Sequence, residues 1–210
     1  MEFEYLLFDW DGCLVNSLPV WFQGMKKGLS HFDVRLSDED VKKGFQSWDL
    51  FVDLGVDDMP IFTEKVYDHV VNSLDMIRFN DGVLDLLKAI QRKQLKAAIV
   101  TSTEQNKVIP VLQRLGARDF FECIIDRTVV QNLKPHAEPV EKALSMIRGQ
   151  KTKSVMIGDS ITDVEAGQQA GVSTILYSSI ENREYHPPTD RSPHPPDITI
   201  SHMGELLDLI

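Results

Sequence analysis

Short apolar runs alternate with longer amphipathic stretches along most of the chain. The runs are rich in β-branched side chains, which is typical of strands buried on both faces of a sheet. They are Tyr5–Phe8, Lys96–Val100, Cys123–Ile125, Val155–Gly158, Thr174–Tyr177 and, least strongly marked, Ile198–Ile200. Between them apolar residues recur at helical spacing, as at Val83, Leu86 and Ile90. This alternation predicts an α/β fold with a doubly wound parallel sheet.

Glycine and proline mark the expected helix ends. Gly116, Gly149 and Gly171 each follow an amphipathic stretch, at the position where a left-handed residue commonly ends a helix. Pro110 falls inside one such stretch, so it either kinks that helix or marks its first turn.

Residues 18–80 interrupt the alternation because they contain no convincing strand-like run. Helical patterns cover residues 20–32, 37–45 and 61–76, and Ser37 precedes three acidic residues as an N-cap would. We therefore predict a helical cap domain at 18–80 that lies over the active edge of the sheet. The catalytic core comprises 1–17 and 81–210. We expect most of the aromatic residues of the insertion to form its core: Trp21, Phe22, Phe32, Phe45 and Trp48.

A second irregular stretch lies near the end of the chain. Five of the ten prolines fall between Pro187 and Pro196. We expect residues 185–197 to form an irregular surface loop stiffened by proline, with a functional lip or partner-binding segment as the alternative.

Composition limits the classes of function. The chain has 210 residues, and its 32 acidic and 22 basic residues give a formal net charge of −10, which disfavours binding to nucleic acid. Two cysteines cannot build a disulfide framework, and no apolar run is long enough to span a membrane. The first four residues carry negative charge where a signal peptide needs positive charge. We expect a soluble, cytoplasmic protein. The sequence leaves its oligomeric state open.

Candidate chemistry follows four of the predicted strands. Parallel sheets bind ligands beyond the carboxyl ends of their strands, so the polar residues there converge on one crevice. The four segments are Asp9-Trp10-Asp11-Gly12, Thr101-Ser102-Thr103, Lys134-Pro135 and Gly158-Asp159-Ser160-Ile161-Thr162-Asp163. Four carboxylates in one pocket need a neutralising cation, and hard oxygen donors favour Mg²⁺. A cation, a lysine and a hydroxyl around a carboxylate nucleophile are typical of phosphoryl transfer.

Taken in order, these four segments resemble the motifs of the haloacid dehalogenase-like (HAD) hydrolase superfamily. The resemblance covers essentially the whole chain, and the helical block between the first two motifs is similar to that superfamily's first-type cap. The order of the four motifs is specific, although each motif alone would be weak. The resemblance implies a Rossmann-like core and a hydrolase that acts through an aspartyl phosphate.

The resemblance also implies a role for each residue of the site. Asp9 would be the nucleophile, and Asp11 would be the general acid and then the general base. Thr101 and the backbone N–H of Ser102 would hold a phosphoryl oxygen. Lys134 would stabilise negative charge on the nucleophile and the transferring group.

The metal ligands follow from the same resemblance. Asp9, the carbonyl of Asp11 and Asp159 would bind Mg²⁺. Asp163 would be a further ligand, directly or through water, or a partner of Lys134.

Several of these residues also have purely structural interpretations. Asp163 stands three residues after Ser160, so the two could form a capping box. We expect Thr103 to be the N-cap of the following helix, and Lys134 alone could be a solvated loop residue. Cys13 is expected to be a small buried filler. The six histidines show no ligand spacing, and the one beside the lysine motif is expected at the surface.

Within the superfamily, Asp11 favours phosphatases and phosphomutases, whose alkoxide leaving groups need a proton. The stretch from Gly12 to Pro19 is most similar to phosphoglycolate phosphatase-like members, although Asn16 replaces a more usual acidic residue. A β-phosphoglucomutase-like enzyme would need a cap histidine soon after the first motif, and the first histidine is His31. We therefore predict a Mg²⁺-dependent phosphatase acting on a small phosphorylated metabolite. A phosphomutase and a non-catalytic phosphate-binding module are the alternatives.

Overall fold

The computed structural model describes residues 2–186 and 195–210. Its six strands form one parallel sheet in the order β3-β2-β1-β4-β5-β6. The strands are β1 (Tyr5–Phe8), β2 (Lys96–Val100), β3 (Cys123–Ile125), β4 (Ser154–Gly158), β5 (Ser173–Tyr177) and β6 (Ile198–Ile200). The predicted doubly wound α/β fold is confirmed, and each strand lies within one residue of its predicted position.

The strand order reverses at β1, which pairs with β2 on one side and β4 on the other. Leu6, Leu7 and Phe8 are fully buried, as a strand at the centre of a sheet covered on both faces requires. In sheets of this kind the crevice at the carboxyl end of the switch strand is where ligands bind.

Four longer helices accompany this sheet. They are α4 (Val83–Arg92), α5 (Gln105–Arg114), α6 (Glu138–Ile147) and α7 (Ile161–Ala170). A buried apolar cluster joins Leu7 and Met156 of the sheet to residues of α6 and α7 such as Leu144 and Ala166. Gly167 lets α7 approach the sheet closely, since a Cβ there would collide with Thr174 and Met156.

The chain divides into two compact units, one made of Met1–Asn16 with Arg78–Ile210 and the other of Ser17–Ile77. The second unit contains α1 (Leu18–His31), α2 (Asp38–Lys42) and α3 (Met59–Val71), with short 3-10 turns at Lys43–Phe45, Trp48–Phe51 and Leu74–Met76. Helix α1 packs on α3, where Gly28 leaves room for the ring of Phe62. Ser37 caps α2 by accepting from the backbone N–H of Asp40, as predicted.

The aromatic prediction for this unit is only partly right. Among the five residues predicted as core, Phe22 is buried and the other four are half-buried. Phe51 and Phe62 fill the centre instead. The indole rings of Trp21 and Trp48 contact each other and the ring of Tyr67, and rings this large are rarely covered completely.

Two details of the core unit differ from expectation. Pro110 lies in the middle of α5 rather than at its first turn. At the end of α6 the left-handed residue is Arg148 (φ 54°), not Gly149, whereas Gly116 and Gly171 have the expected positive φ.

Most of the proline-rich segment, residues 187–194, lies outside the described part of the chain. At its far side the carbonyl of Pro195 accepts a hydrogen bond from the side chain of Gln168. Within residues 2–186 and 195–210, no helix is long and apolar enough to cross a membrane.

Candidate active site

The predicted site residues follow neighbouring strands at one edge of the sheet. Asp9 comes directly after β1, Thr101 after β2 and Asp159 after β4. These side chains are buried, although each is polar. Lys134 comes from the loop after β3 and donates to the carbonyl of Val100 at 2.9 Å, so it reaches the same edge.

Lys134 joins two carboxylates. Its Nζ lies 2.5 Å from Oδ1 of Asp9 and 2.6 Å from Oδ1 of Asp163. The three side chains are at most 9% exposed, so Lys134 is not a solvated loop residue. Burial lowers the pKa of Lys134, but the charges of Asp163 and Asp9 outweigh it and hold that pKa above its usual range. The lysine is therefore a permanent cation in the site.

Asp163 combines the structural and the functional interpretations. Its Oδ2 accepts hydrogen bonds from the backbone N–H of Ser160 at 3.1 Å and from the Ser160 hydroxyl at 3.0 Å. The first of these bonds belongs to the capping box of α7, in which the Ser160 side chain accepts in return from the backbone N–H of Asp163. Its Oδ1 faces Lys134. Gly158 makes this arrangement possible, because a Cβ at that position would overlap the Asp163 carboxylate.

Asp9, Asp159 and Asp163 form a cluster that could hold a metal ion. One carboxylate oxygen from each lies within 4.8 Å of the others, and all three residues are buried. Burial, with the charges of Asp163 and Asp11, raises the pKa of Asp9 to about 7 despite Lys134. Burial and the neighbouring carboxylates also raise the pKa of Asp159. One lysine therefore leaves negative charge uncompensated, and hard oxygen donors in this arrangement fit a divalent cation.

The raised pKa values predict how stability depends on pH without metal. A carboxyl group whose pKa is higher in the folded than in the unfolded protein lowers the free energy of unfolding at pH values above its folded pKa. This penalty is lost as the pH falls towards the pKa of the unfolded state. We expect the melting temperature of the EDTA-treated wild-type protein to rise relative to that of an EDTA-treated Asp9→Asn variant as the pH falls from about 8 to about 5.5. The two histidines whose pKa values burial lowers, His69 and His186, are present in both proteins, so most of their contribution cancels in this difference. A constant difference in melting temperature across the range would contradict the prediction.

The loop after β1 fixes the backbone of Asp11. The N–H of Gly12 donates to the carbonyl of Val15, and Gly12 has a φ of 76°, which favours glycine. The side-chain amide of Asn80 donates to the carbonyls of Gly12 and Cys13. Cys13 is fully buried, as predicted, and burial raises the pKa of its thiol well above the usual value.

The loop after β2 corrects the expectation for Thr103. Glu104, not Thr103, occupies the N-cap position of α5, and the N–H of Gln105 donates to the buried carboxylate of Asp126. Thr103 turns towards the site instead: its N–H donates to Oγ1 of Thr101, and its hydroxyl donates to Oδ2 of Asp11 at 2.6 Å. Ser102, the other predicted substrate-binding residue, is exposed at the tip of the loop.

Two residues at the site were missed by sequence reasoning. The buried side chain of Asn182 donates to Oδ2 of Asp159 at 3.1 Å and to the carbonyl of Gly12 at 2.7 Å. Nε2 of His186 lies 3.5 Å from the same oxygen of Asp159. Both belong to the irregular segment after β5, where no spacing or strand end marks them. His136, beside the lysine motif, is exposed as expected.

The parallel sheet and its buried carboxylate–lysine cluster define an α/β protein with a polar site at the carboxyl edge of the central strands. The family described as haloacid dehalogenase-like hydrolase matches residues 6–177. The chain belongs to this family.

Curated relatives match almost the full length. Pyrophosphatase PpaX of Bacillus pumilus is 32% identical over 211 residues, which cover 98% of this chain and 95% of that protein. Pyrophosphatase PpaX of Anoxybacillus flavithermus is 29% identical, over 100% of this chain and 98% of that protein. With the family match, these phosphatase names confirm the prediction of an enzyme, a HAD-like hydrolase of the phosphatase type. The non-enzymatic alternative is therefore excluded.

Solved structures share the fold. A protein described as "a predicted phosphoglycolate phosphatase" from Haemophilus somnus has a TM-score of 0.82 and 21% identity, with 99% of this chain and 98% of that chain covered. CbbY from Rhodobacter sphaeroides, solved in complex with phosphate, has a TM-score of 0.82 and 18% identity, with 97% and 96% covered. At these sequence identities, both similarities show the fold alone.

Proposed function

We propose that the chain is a Mg²⁺-dependent phosphatase that hydrolyses a small phosphorylated compound through an aspartyl phosphate on Asp9. The observation that carries this proposal is the buried bridge from Lys134 to Asp9 and Asp163, with Asp159 beside it. A carboxylate aligned by a fixed cation is suited to attack an anionic phosphoryl group, because the lysine offsets the repulsion between them.

In the first step, a carboxylate oxygen of Asp9 attacks phosphorus and the bond from phosphorus to the leaving oxygen breaks. Asp11 donates its proton to that oxygen, which leaves as an alcohol, or as inorganic phosphate when the substrate is pyrophosphate. Lys134 and Thr101, with the N–H of Ser102, stabilise the charge on the phosphoryl oxygens. Most of the acceleration comes from positioning and charge neutralisation.

In the second step, water attacks the phosphorus of the aspartyl phosphate. Asp11, now a carboxylate, accepts a proton from that water, and the bond from phosphorus to the Asp9 oxygen breaks. Inorganic phosphate leaves and Asp9 is regenerated. The same residue thus acts as acid and then as base.

Asp9, Asp159 and the backbone carbonyl of Asp11 would hold Mg²⁺, with Asp163 as a further ligand or as the partner of Lys134. The oxygen-only donor set and the raised pKa values of Asp9 and Asp159 support this choice. When bound, the ion supplies positive charge that neutralises the cluster and the phosphoryl group.

The substrate class follows from the chemistry and from the relatives. The site recognises a phosphoryl group, and the PpaX relatives are named as pyrophosphatases. We include inorganic pyrophosphate beside phosphomonoesters, 2-phosphoglycolate among them, as candidate substrates. No described feature favours a phosphomutase.

The test is phosphate release from pyrophosphate, 2-phosphoglycolate, sugar phosphates and p-nitrophenyl phosphate, with Mg²⁺ or with EDTA. We expect turnover of at least one natural candidate with Mg²⁺ and a loss of about 10²-fold or more with EDTA. Mg²⁺ should also raise the melting temperature of EDTA-treated protein, because a ligand that binds only the folded state stabilises it.

Two outcomes would count against the proposal. Turnover that EDTA leaves unchanged would contradict the Mg²⁺ requirement. Accumulation of a bisphosphate and an isomerised sugar phosphate, without release of phosphate, would indicate a phosphomutase.

A further inference from the structure

We propose that Thr103 is a positioning residue that aligns the carboxylate of Asp11 for proton transfer. The Thr103 hydroxyl donates to Oδ2 of Asp11 at 2.6 Å, across 92 positions of sequence. A hydroxyl at this distance forms a short hydrogen bond to the carboxyl group, and Oδ2 can accept it while Oδ1 carries the proton that Asp11 donates. The inference rests on the proposed role of Asp11 as acid and base.

The position of the Thr103 hydroxyl is itself fixed. Thr103 is buried, and its backbone N–H donates to Oγ1 of Thr101 at 2.9 Å. The N–H of Thr101 donates in turn to the carbonyl of Ile125 in β3. A chain of hydrogen bonds therefore connects the sheet to the carboxylate of Asp11, and the backbone of Asp11 is held separately by the turn at Gly12.

This arrangement implies that the loop after β2 has two tasks. Thr101 and Ser102 would contact the phosphoryl group, while Thr103 would set the direction of the acid. A general acid contributes only when its proton lies within hydrogen-bond reach of the leaving oxygen, so the orientation of Asp11 matters most where that oxygen needs a proton.

The test compares Thr103→Val, which keeps the shape but removes the hydroxyl, with Thr103→Ser, which keeps the hydroxyl. Two esters serve as probes: the alkyl phosphate of the panel above that the wild-type protein hydrolyses best, whose alkoxide needs a proton, and p-nitrophenyl phosphate, whose phenolate leaves without one. We measure kcat/KM, which reports the first phosphoryl transfer and excludes hydrolysis of the intermediate. The Asp11→Asn variant shows how kcat/KM for each ester changes when the general acid is missing.

We expect Thr103→Val to lower kcat/KM for the alkyl phosphate by about 10- to 100-fold and for p-nitrophenyl phosphate by less than about 3-fold. Thr103→Ser should recover most of the loss. An equal loss on both esters, or no recovery in Thr103→Ser, would overturn the assignment while leaving the proposed function intact. Absence of turnover of every substrate of the panel by the wild-type protein, or an equal effect of Asp11→Asn on both esters, would overturn the proposed chemistry and this assignment with it.

Discussion

Replacing Asp9 with Asn should lower kcat by about 10³-fold or more and leave the fold in place. Asparagine has nearly the same shape, but its amide is a poor nucleophile, so no aspartyl phosphate can form. The buried position of Asp9 suits this substitution, because loss of its charge removes one of the carboxylates that compete for Lys134. The measurement is phosphate release with Mg²⁺, using the best substrate of the panel.

A rapid acid quench with ³²P-labelled substrate provides a second readout. Label should remain on the wild-type chain and be absent from Asp9→Asn. Asp85→Asn is a matched control, because Asp85 lies on the exposed face of α4 and its side chain is 81% exposed. If Asp9→Asn retains label or most of the turnover, the nucleophile is another group.

Replacing Lys134 with Met should impair both stability and activity. Removing one partner of a buried ion pair leaves its carboxylates uncompensated, which typically lowers the free energy of unfolding by about 3 to 5 kcal/mol. Loss of a fixed cation beside the transferring group should also lower kcat by about 10²- to 10³-fold. Because the pKa of Asp9, which Lys134 lowers, should then rise further, the loss of stability should be larger at about pH 8 than at about pH 5.5.

Lys153→Met is the control for this substitution. Lys153 pairs with Glu4 at 2.6 Å, but both side chains are more than 40% exposed, so the melting temperature should hardly change. Urea unfolding of both variants, at the two pH values and without metal, measures the effect. If Lys134→Met is as stable as Lys153→Met at the higher pH, the bridge does not compensate the acidic cluster.

The local pattern of apolar and polar residues was enough to predict the architecture of the core. All six strands were found from short runs rich in apolar residues. Strands β1 to β5 are mostly buried, as strands covered on both faces are, whereas β6 has the exposed Thr199 at its centre and its run was the least strongly marked. The insertion was harder to predict. The predicted helix at 37–45 changes to a 3-10 turn at Lys43, and the one at 61–76 ends at Val71. Helix ends depend on packing as well as on propensity.

The predicted site residues were found because they follow strands. A residue directly after a parallel strand is carried to the edge of the sheet whatever the loops do, which places Asp9, Thr101 and Asp159 together. Their roles stay predictions that the experiments above test. For Asp163 the sequence offered a helix-capping role and a role beside Lys134 as alternatives. Both hold in the structure, because Oδ2 caps α7 while Oδ1 bonds Lys134.

The sequence by itself determined the family, the sheet and the set of charged groups at its edge. Only the tertiary structure decided which hydrogen-bond partners those groups have. Thr103 donates to Asp11, and Asn182 donates to Asp159. These contacts join loops that follow different strands, and no periodicity or spacing encodes the path of a loop. Directional hydrogen bonds depend on distances of a few tenths of an ångström, which the packing of the whole core sets.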